Sequence, residues 1–334
     1  MYDHYNMENV ESQTEKQPEN NRKSLSELLL RAAEKTGQNE RLYELSRDVM
    51  SQGRRDAAYG CGRYITLLSS ADMQDSRIET AYFCRNRLCP GCAWRKTAKD
   101  AIALHCILQQ AVQDGYTLVF ATMTARTVPG SELREAIEDY DKAYYEMMKR
   151  GKFAKIPGAI RRLEVTYNPT TQEYHPHIHS VWLMPKGWRK TTHPVHITKT
   201  EMVQAWREAL QYKYATSAAA QDIRTVKTID RGAVAEFSKY VAKSYDYLRS
   251  KQVFETFYTA LRGIRILTYM KQARKYKKSY KDGLLNQHAE PDTVEYYVRT
   301  HWTWAQTEYE LYQLDRLETP ETFAIIDTDE TIED

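Results

Sequence analysis

The stretch Tyr-His-Pro-His-Ile-His-Ser-Val-Trp-Leu-Met-Pro at 174–185 constrains this chain more than any other. It places His175, His177 and His179 at alternate positions in a protein that has nine histidines altogether. Alternate residues of a β-strand share a face, so all three imidazoles project to one side and Pro176 and Ile178 to the other. The apolar run after them keeps strand composition, and Pro185 marks its end. Just upstream, Ala-Ile-Arg-Arg-Leu-Glu-Val-Thr-Tyr-Asn reads as a second strand closed by Asn168-Pro169, which makes the two a hairpin. Glu164 then stands on a strand at hairpin distance from the histidines.

The segments around this hairpin predict an α+β fold, an antiparallel sheet flanked by helices. Helices are expected over 25–36, 94–114, 131–150 with Ser131 as N-cap, 198–214 and 233–250. Further strands are expected over 116–127 and 222–229. The organisation read from these signals is a disordered tail (1–23), a helical region with a cysteine site (24–110) and the sheet domain (111–250). A basic extension (251–290) and a helical, acidic C-terminal tail (291–334) follow.

Charge is uneven although the net value is only +3. Basic residues dominate 142–162 and 262–281, while acids gather in the last thirty or so positions, a pattern that fits a polyanionic partner. There is no run of eighteen apolar residues and no secretory signal, so a soluble cytoplasmic protein without a membrane partner is expected. In such a compartment five cysteines read as metal ligands or core residues rather than disulfides.

Three of them, Cys84, Cys89 and Cys92, stand in Cys-Arg-Asn-Arg-Leu-Cys-Pro-Gly-Cys. The Cys-x2-Cys pair with Pro-Gly between its thiols resembles a zinc knuckle, and a structural Zn²⁺ closes with four ligands. Cys61, flanked by Gly60 and Gly62, is the natural fourth, whereas His105 and Cys106 lie well inside the helix that follows.

The histidines can be tested against three enzyme patterns. A histidine-triad nucleotide hydrolase would take all three, but Pro176 and Ser180 depart from its apolar positions. A cupin needs a Glu shortly after His-x-His, and 180–185 has none. The third pattern, His-apolar-His on a strand with a carboxylate nearby, is met by His177-Ile178-His179 and Glu164. Two imidazoles and one carboxylate leave coordination positions open for a phosphate oxygen. In the helix expected over 233–250, Glu236, Tyr240 and Lys243 are spaced to share one face, with Tyr247 two turns beyond Tyr240. Lys271, Arg274, Lys275, Lys277 and Lys278, interleaved with Tyr276 and Tyr280, form a basic stretch without an acid. Its cations could neutralise phosphates and its rings could stack on unpaired bases.

From Cys61 to Leu285 these motifs, in this order, resemble the rolling-circle replication initiators of small plasmids from Gram-positive bacteria. These are HUH endonucleases of the branch that pairs a catalytic Tyr with a Glu. The motifs are CRNRLCPGCAWRK, FATMTART, RRLEVTYN, HPHIHSV, EFSKYVAKSYDYL and VFETFYTALRG. The resemblance implies an HUH-type sheet and a nicking–closing reaction at the plasmid's double-strand origin, within a single-stranded hairpin loop. Tyr240 would be the nucleophile, Glu236 the base that activates water at termination, and Lys243 an aid to the phenolate. Mg²⁺ or Mn²⁺ would sit on His177, His179 and Glu164. Implied partners are origin DNA and the host helicase and replicative polymerase in the bacterial cytoplasm; a homo-oligomer is left open by the sequence. His175 is not a required histidine in such proteins. The rival readings are the histidine-triad hydrolase and a zinc DNA-binding protein without enzymatic activity.

Overall fold

A computed structural model describes residues 23–218, 220–226, 229, 234, 237, 242–289 and 292–323. Among them are nine helices: α1 Leu25–Leu45, α2 Gln52–Gly60, α3 Pro90–Gln113, α4 Leu133–Met147, α5 Gly151–Ala154, α6 Lys199–Ala209, α7 Ser244–Tyr247, α8 Lys251–Leu261 and α9 Gln272–Lys281. Nine strands, β1 Tyr64–Ser69, β2 Ser76–Ala81, β3 Thr117–Thr124, β4 Gly158–Asn168, β5 Glu173–Met184, β6 Asp222–Thr225, β7 Leu267–Lys271, β8 Asp292–Ala305 and β9 Glu308–Phe323, form two antiparallel sheets.

The five-stranded sheet runs β6-β3-β5-β4-β7. Its centre is the expected hairpin: β4 pairs with β5 so that Glu164 lies opposite His177, and β3 pairs on the other side with Thr122 opposite His179. Residue alternation gives the sheet two unlike faces. On one, Ile178, Trp182 and Met184 pack with Leu163, Tyr140 and Tyr144 of α4 and Phe254 and Phe257 of α8. On the other, Val181 and Leu183 pack with Leu104, Ile107 and Leu108 of α3 and Ala273 and Tyr276 of α9. The histidines share this second face with Val181, at the end of β5 that precedes the α3 contacts. Gly158 allows the crossing of β4 and α9, since a Cβ there would lie 2.9 Å from the Ala273 nitrogen and from a Leu183 methyl.

The second sheet has the order β2-β1-β8-β9 and joins the two ends of the chain. The C-terminal segment is therefore not helical as expected: 292–323 is a long hairpin whose strands turn at Gln306-Thr307. Its Thr-Val-Glu-Tyr-Tyr-Val-Arg pattern alternates with period two, and burial follows it, with Val294, Tyr296 and Val298 inside. Trp304 and Tyr309 at its tip pack on α1, where Thr36 and the Tyr309 hydroxyl are 2.8 Å apart. Nor is 251–290 an appendage, because β7 is an edge strand of the main sheet and α8 and α9 cover its two faces.

Two local expectations change as well. Ser24 caps α1 through a reciprocal capping box with Glu27, and α1 runs nine residues beyond the expected end, to Leu45. Ser131 is not an N-cap: it lies in a 3₁₀ turn, Gly130–Glu132, that leads into α4.

Candidate active site

Glu164, His177 and His179 converge, each offering a ligand atom within 4.8 Å of the others. The Glu164 Oε2 atom lies 2.9 Å from His179 Nε2 and 3.4 Å from His177 Nε2. Burial alone would raise the Glu164 carboxyl, but hydrogen bonds and charge from both imidazoles hold it well below the usual carboxylate range. The second nitrogen of His179 is engaged from β3, with Nδ1 3.1 Å from the Thr122 hydroxyl. When Nδ1 carries the proton and donates it to Thr122, Nε2 keeps its lone pair for an ion. Phe120 stacks on the His179 ring at 5.5 Å. His175 belongs to different surroundings. Its Nε2 donates to the Ala125 carbonyl at 3.0 Å and lies 2.7 Å from the Thr124 hydroxyl, so that ring atom is satisfied by protein.

The donor set fits a divalent cation. Both Nε2 atoms face one carboxylate oxygen, and His177 Nδ1 is buried without a hydrogen-bond partner among the described residues. Two imidazoles and one carboxylate on a single sheet face make a facial site that leaves other positions open.

Glu236 and Tyr240 lie outside the described residues. Two neighbours in their segment are described: Val234 and Phe237 are both helical and buried, and they pack on the α3 side of the sheet. Phe237 meets Phe120 edge-on at 6.3 Å, and Phe120 in turn stacks on His179. The helix expected over 233–250 is not continuous. Ala242 is a bend and Lys243 has an extended backbone, φ −76° and ψ 138°, where it caps the separate helix α7. Lys243 therefore does not extend a helical face from Tyr240. Its side chain is exposed and lies 5.5 Å from the Tyr245 ring, and its pKa is raised by Tyr245 first and by Glu164 among more distant charges. Tyr247 is 2% exposed and packs on Phe257, so its ring is part of the core.

Cys61, Cys84, Cys89 and Cys92 form the second cluster. The Cys61–Cys92 and Cys84–Cys92 sulfur separations are 3.6 Å, too long for a disulfide. Four thiolates at ~2.3 Å around a tetrahedral Zn²⁺ would stand about 3.7 Å from one another, so this spacing suits the ion. Cys89 and Cys92 sit at the N-terminus of α3, where the helix dipole favours thiolate. Hydrogen bonds from the other three cysteines draw the Cys61 thiol down, whereas burial first of all pushes Cys89 up. Four thiolates this close would repel one another, and a cation between them offsets that repulsion. Asn39 of α1 braces it, donating to the Cys61 carbonyl at 3.0 Å while its Oδ1 lies 3.2 Å from Cys89 Sγ. Cys106 is a core residue whose thiol burial pushes up to about 11.

The basic stretch divides. Lys271 Nζ donates to the carbonyls of Ala154 and Ile156 at 2.6 and 2.8 Å, and so holds the chain together. Tyr276 is 5% exposed with its hydroxyl bonded to Asp114, so its ring is not presented for stacking on bases, while Tyr280 is half-buried against the same core. Lys277 lies 4.6 Å from the Tyr269 ring. Arg274, Lys275 and Lys278 remain exposed on the outer face of α9.

Sequence reasoning missed two positions around these sites, Thr122 and Asn39. The register of FATMT against the histidine strand could have found Thr122, since both strands alternate with period two. Asn39 left no local signal, because its partners are 22 and 50 residues away.

Known proteins extend the picture. A family profile described as "Replication protein" matches residues 75–310. "Protein rep" of Staphylococcus aureus is 29% identical over 220 residues, covering 65% of this chain and 94% of that protein. "Protein rep" of Streptococcus pneumoniae serotype 2 is 31% identical over 216 residues, covering 63% of this chain and 66% of its relative. No solved structure matches. Among the described residues no helix is long and apolar enough to cross a membrane. The matched span holds β3, the β4–β5 hairpin with Glu164, His177 and His179, three of the four cysteines and α9, and the chain belongs to the Rep family of replication proteins.

Proposed function

We propose that this protein initiates rolling-circle replication of a plasmid by nicking and rejoining one strand at the double-strand origin. The observation that carries the reading is the convergence of Glu164, His177 and His179 on one sheet face, beside the packed segment that leads into Tyr240. Tyr240 Oη attacks the scissile phosphorus, the P–O3′ bond breaks, and the 3′ oxygen leaves as a hydroxyl. The product is a 5′-phosphotyrosine link with a free 3′-OH to prime synthesis. A phenol with its ordinary pKa near 10 is a weak nucleophile at neutral pH. A Mn²⁺ or Mg²⁺ ion held by His177, His179 and Glu164 would polarise the phosphate, and two nitrogen ligands favour Mn²⁺ of the pair.

The remaining roles belong to the chain's own side chains. Thr122 orients the His179 ring, and Lys243 contributes positive charge in the field of Glu164. Arg274, Lys275 and Lys278 contact DNA phosphates from α9. At termination Glu236 activates water, so no second tyrosine is needed. The four cysteines hold Zn²⁺ in a structural site that ties the start of α3 to the end of α2 and to the segment after β2. The test is a single-stranded loop oligonucleotide labelled at its 3′ end, incubated with protein and Mn²⁺. Transfer of label to the protein supports the nickase, and its absence with an active preparation refutes it. A histidine-triad hydrolase would leave only a labile phosphoryl-histidine that water cleaves, and a non-enzymatic zinc protein no adduct at all.

A further inference from the structure

A cavity of ≈ 210 Å³ opens where the cysteine cluster meets α2 and the end of α8, and its walls are dominated by arginine. Arg54 comes from α2, Arg85 and Arg87 from the turn between Cys84 and Cys89, and Arg262 from the residue after α8; no carboxylate lines it among the described residues. Arg87 is structural, its Nη1 donating to the Leu261 and Ile264 carbonyls at 2.6 and 2.7 Å. Arg54, Arg85 and Arg262 are exposed, and none of the three has a carboxylate partner among the described residues. Arg85 is held in the left-handed region, φ 58°, with its backbone N–H donating to Cys92 Sγ at 3.2 Å. A non-glycine residue in that conformation is kept there by its surroundings. Here the cysteine cluster fixes the backbone from which the arginine projects. Tyr258 adds an aromatic wall.

We propose that this arginine cavity is a second DNA-backbone site, which grips phosphodiesters of the duplex outside the nicked loop. Three cations from three separate segments converge without a counter-charge, an arrangement that costs self-repulsion unless an anion is bound. Guanidinium groups suit phosphate because they present paired donors. The cavity lies on the α8 side of the sheet, with Leu88, Leu261 and Tyr258 packed into the core that contains Ile178 and Trp182. His177 and His179 face the other way. DNA held here is therefore not the strand at the metal ligands. The inference takes only the identity of the polyanion from the proposed function.

The test measures binding of full-length protein to a labelled duplex of arbitrary sequence, roughly 25 base pairs long, across about 50–200 mM salt. Each lost phosphate contact lowers the slope of log affinity against log salt by about 0.9. Arg54→Ala with Arg262→Ala should reduce the slope by about 1.8, and the double Lys variant should restore it. Adduct formation on the short loop oligonucleotide should be unchanged, so failure of the nickase reading would appear in the wild-type adduct assay and not here. An unchanged slope in the Ala variant, with zinc content and Tm preserved, overturns the site. ATP is the competing probe: if its affinity falls in the Ala variant while the duplex slope does not, the cavity binds free nucleotide and the proposal is wrong.

Discussion

Thr122→Val removes one hydroxyl and leaves the shape of the side chain and the strand that carries it intact. The hydroxyl lies 3.1 Å from His179 Nδ1, and no other residue is within hydrogen-bond distance of that nitrogen among the described contacts. A hydrogen bond of this kind contributes about 0.5–1.5 kcal/mol net, roughly 2- to 13-fold in an equilibrium. Groups that orient a metal-binding histidine typically change affinity about 10- to 100-fold. The two ranges meet at about tenfold, or ~1.4 kcal/mol. The expected result is a Mn²⁺ midpoint for nicking raised about tenfold, with the rate at saturating Mn²⁺ close to wild type. Valine favours β-structure, so Tm should hold. Titrating Mn²⁺ against the initial rate of oligonucleotide cleavage separates the outcomes. A lowered saturating rate with an unmoved midpoint would refute the reasoning, since Thr122 would then act on the reaction and not on the ligand.

Other expectations follow from the same geometry. Cys89→Ser should lower zinc from about one ion per chain and depress Tm, because the Zn²⁺ free energy is part of folding; retained zinc on elemental analysis would contradict the ligand assignment. His177→Ala should abolish nicking while duplex binding persists, whereas His175→Ala, which loses contacts to Ala125 and Thr124, should be far milder. Equal loss in those two variants would favour the histidine-triad chemistry. Tyr276→Phe should cost stability through its lost bond to Asp114 and leave single-strand affinity unchanged; weaker binding at unchanged Tm would restore the ring as a base-stacking contact.

Much of the main sheet was legible because its signals are local and periodic. The alternation in 174–184 and the Asn168-Pro169 turn specify the hairpin, and the hairpin register alone puts Glu164 opposite His177. The Cys-x2-Cys turn was equally direct. What escaped depends on distant partners. The pairing of β1 with β8 joins residues more than two hundred positions apart, and nothing near Tyr64 or Trp302 announces it. The basic stretch misled because composition records charge but not direction: Lys271 turns inward to two carbonyls, and Tyr276 faces α3. The break at Lys243 was invisible in a segment whose residues all tolerate helix.

The central claim is covalent attachment through one tyrosine, and peptide mapping of the adduct tests it most directly. Protein trapped on a 3′-labelled loop oligonucleotide in Mn²⁺ would be digested with trypsin and nuclease, and the modified peptide sequenced by mass spectrometry. The expected result is the nucleotide on Tyr240, in the peptide Tyr-Val-Ala-Lys that trypsin releases between Lys239 and Ser244, and no adduct from Tyr240→Phe. A nucleotide mapped to another tyrosine or to His177, or an undiminished adduct in Tyr240→Phe, would contradict it.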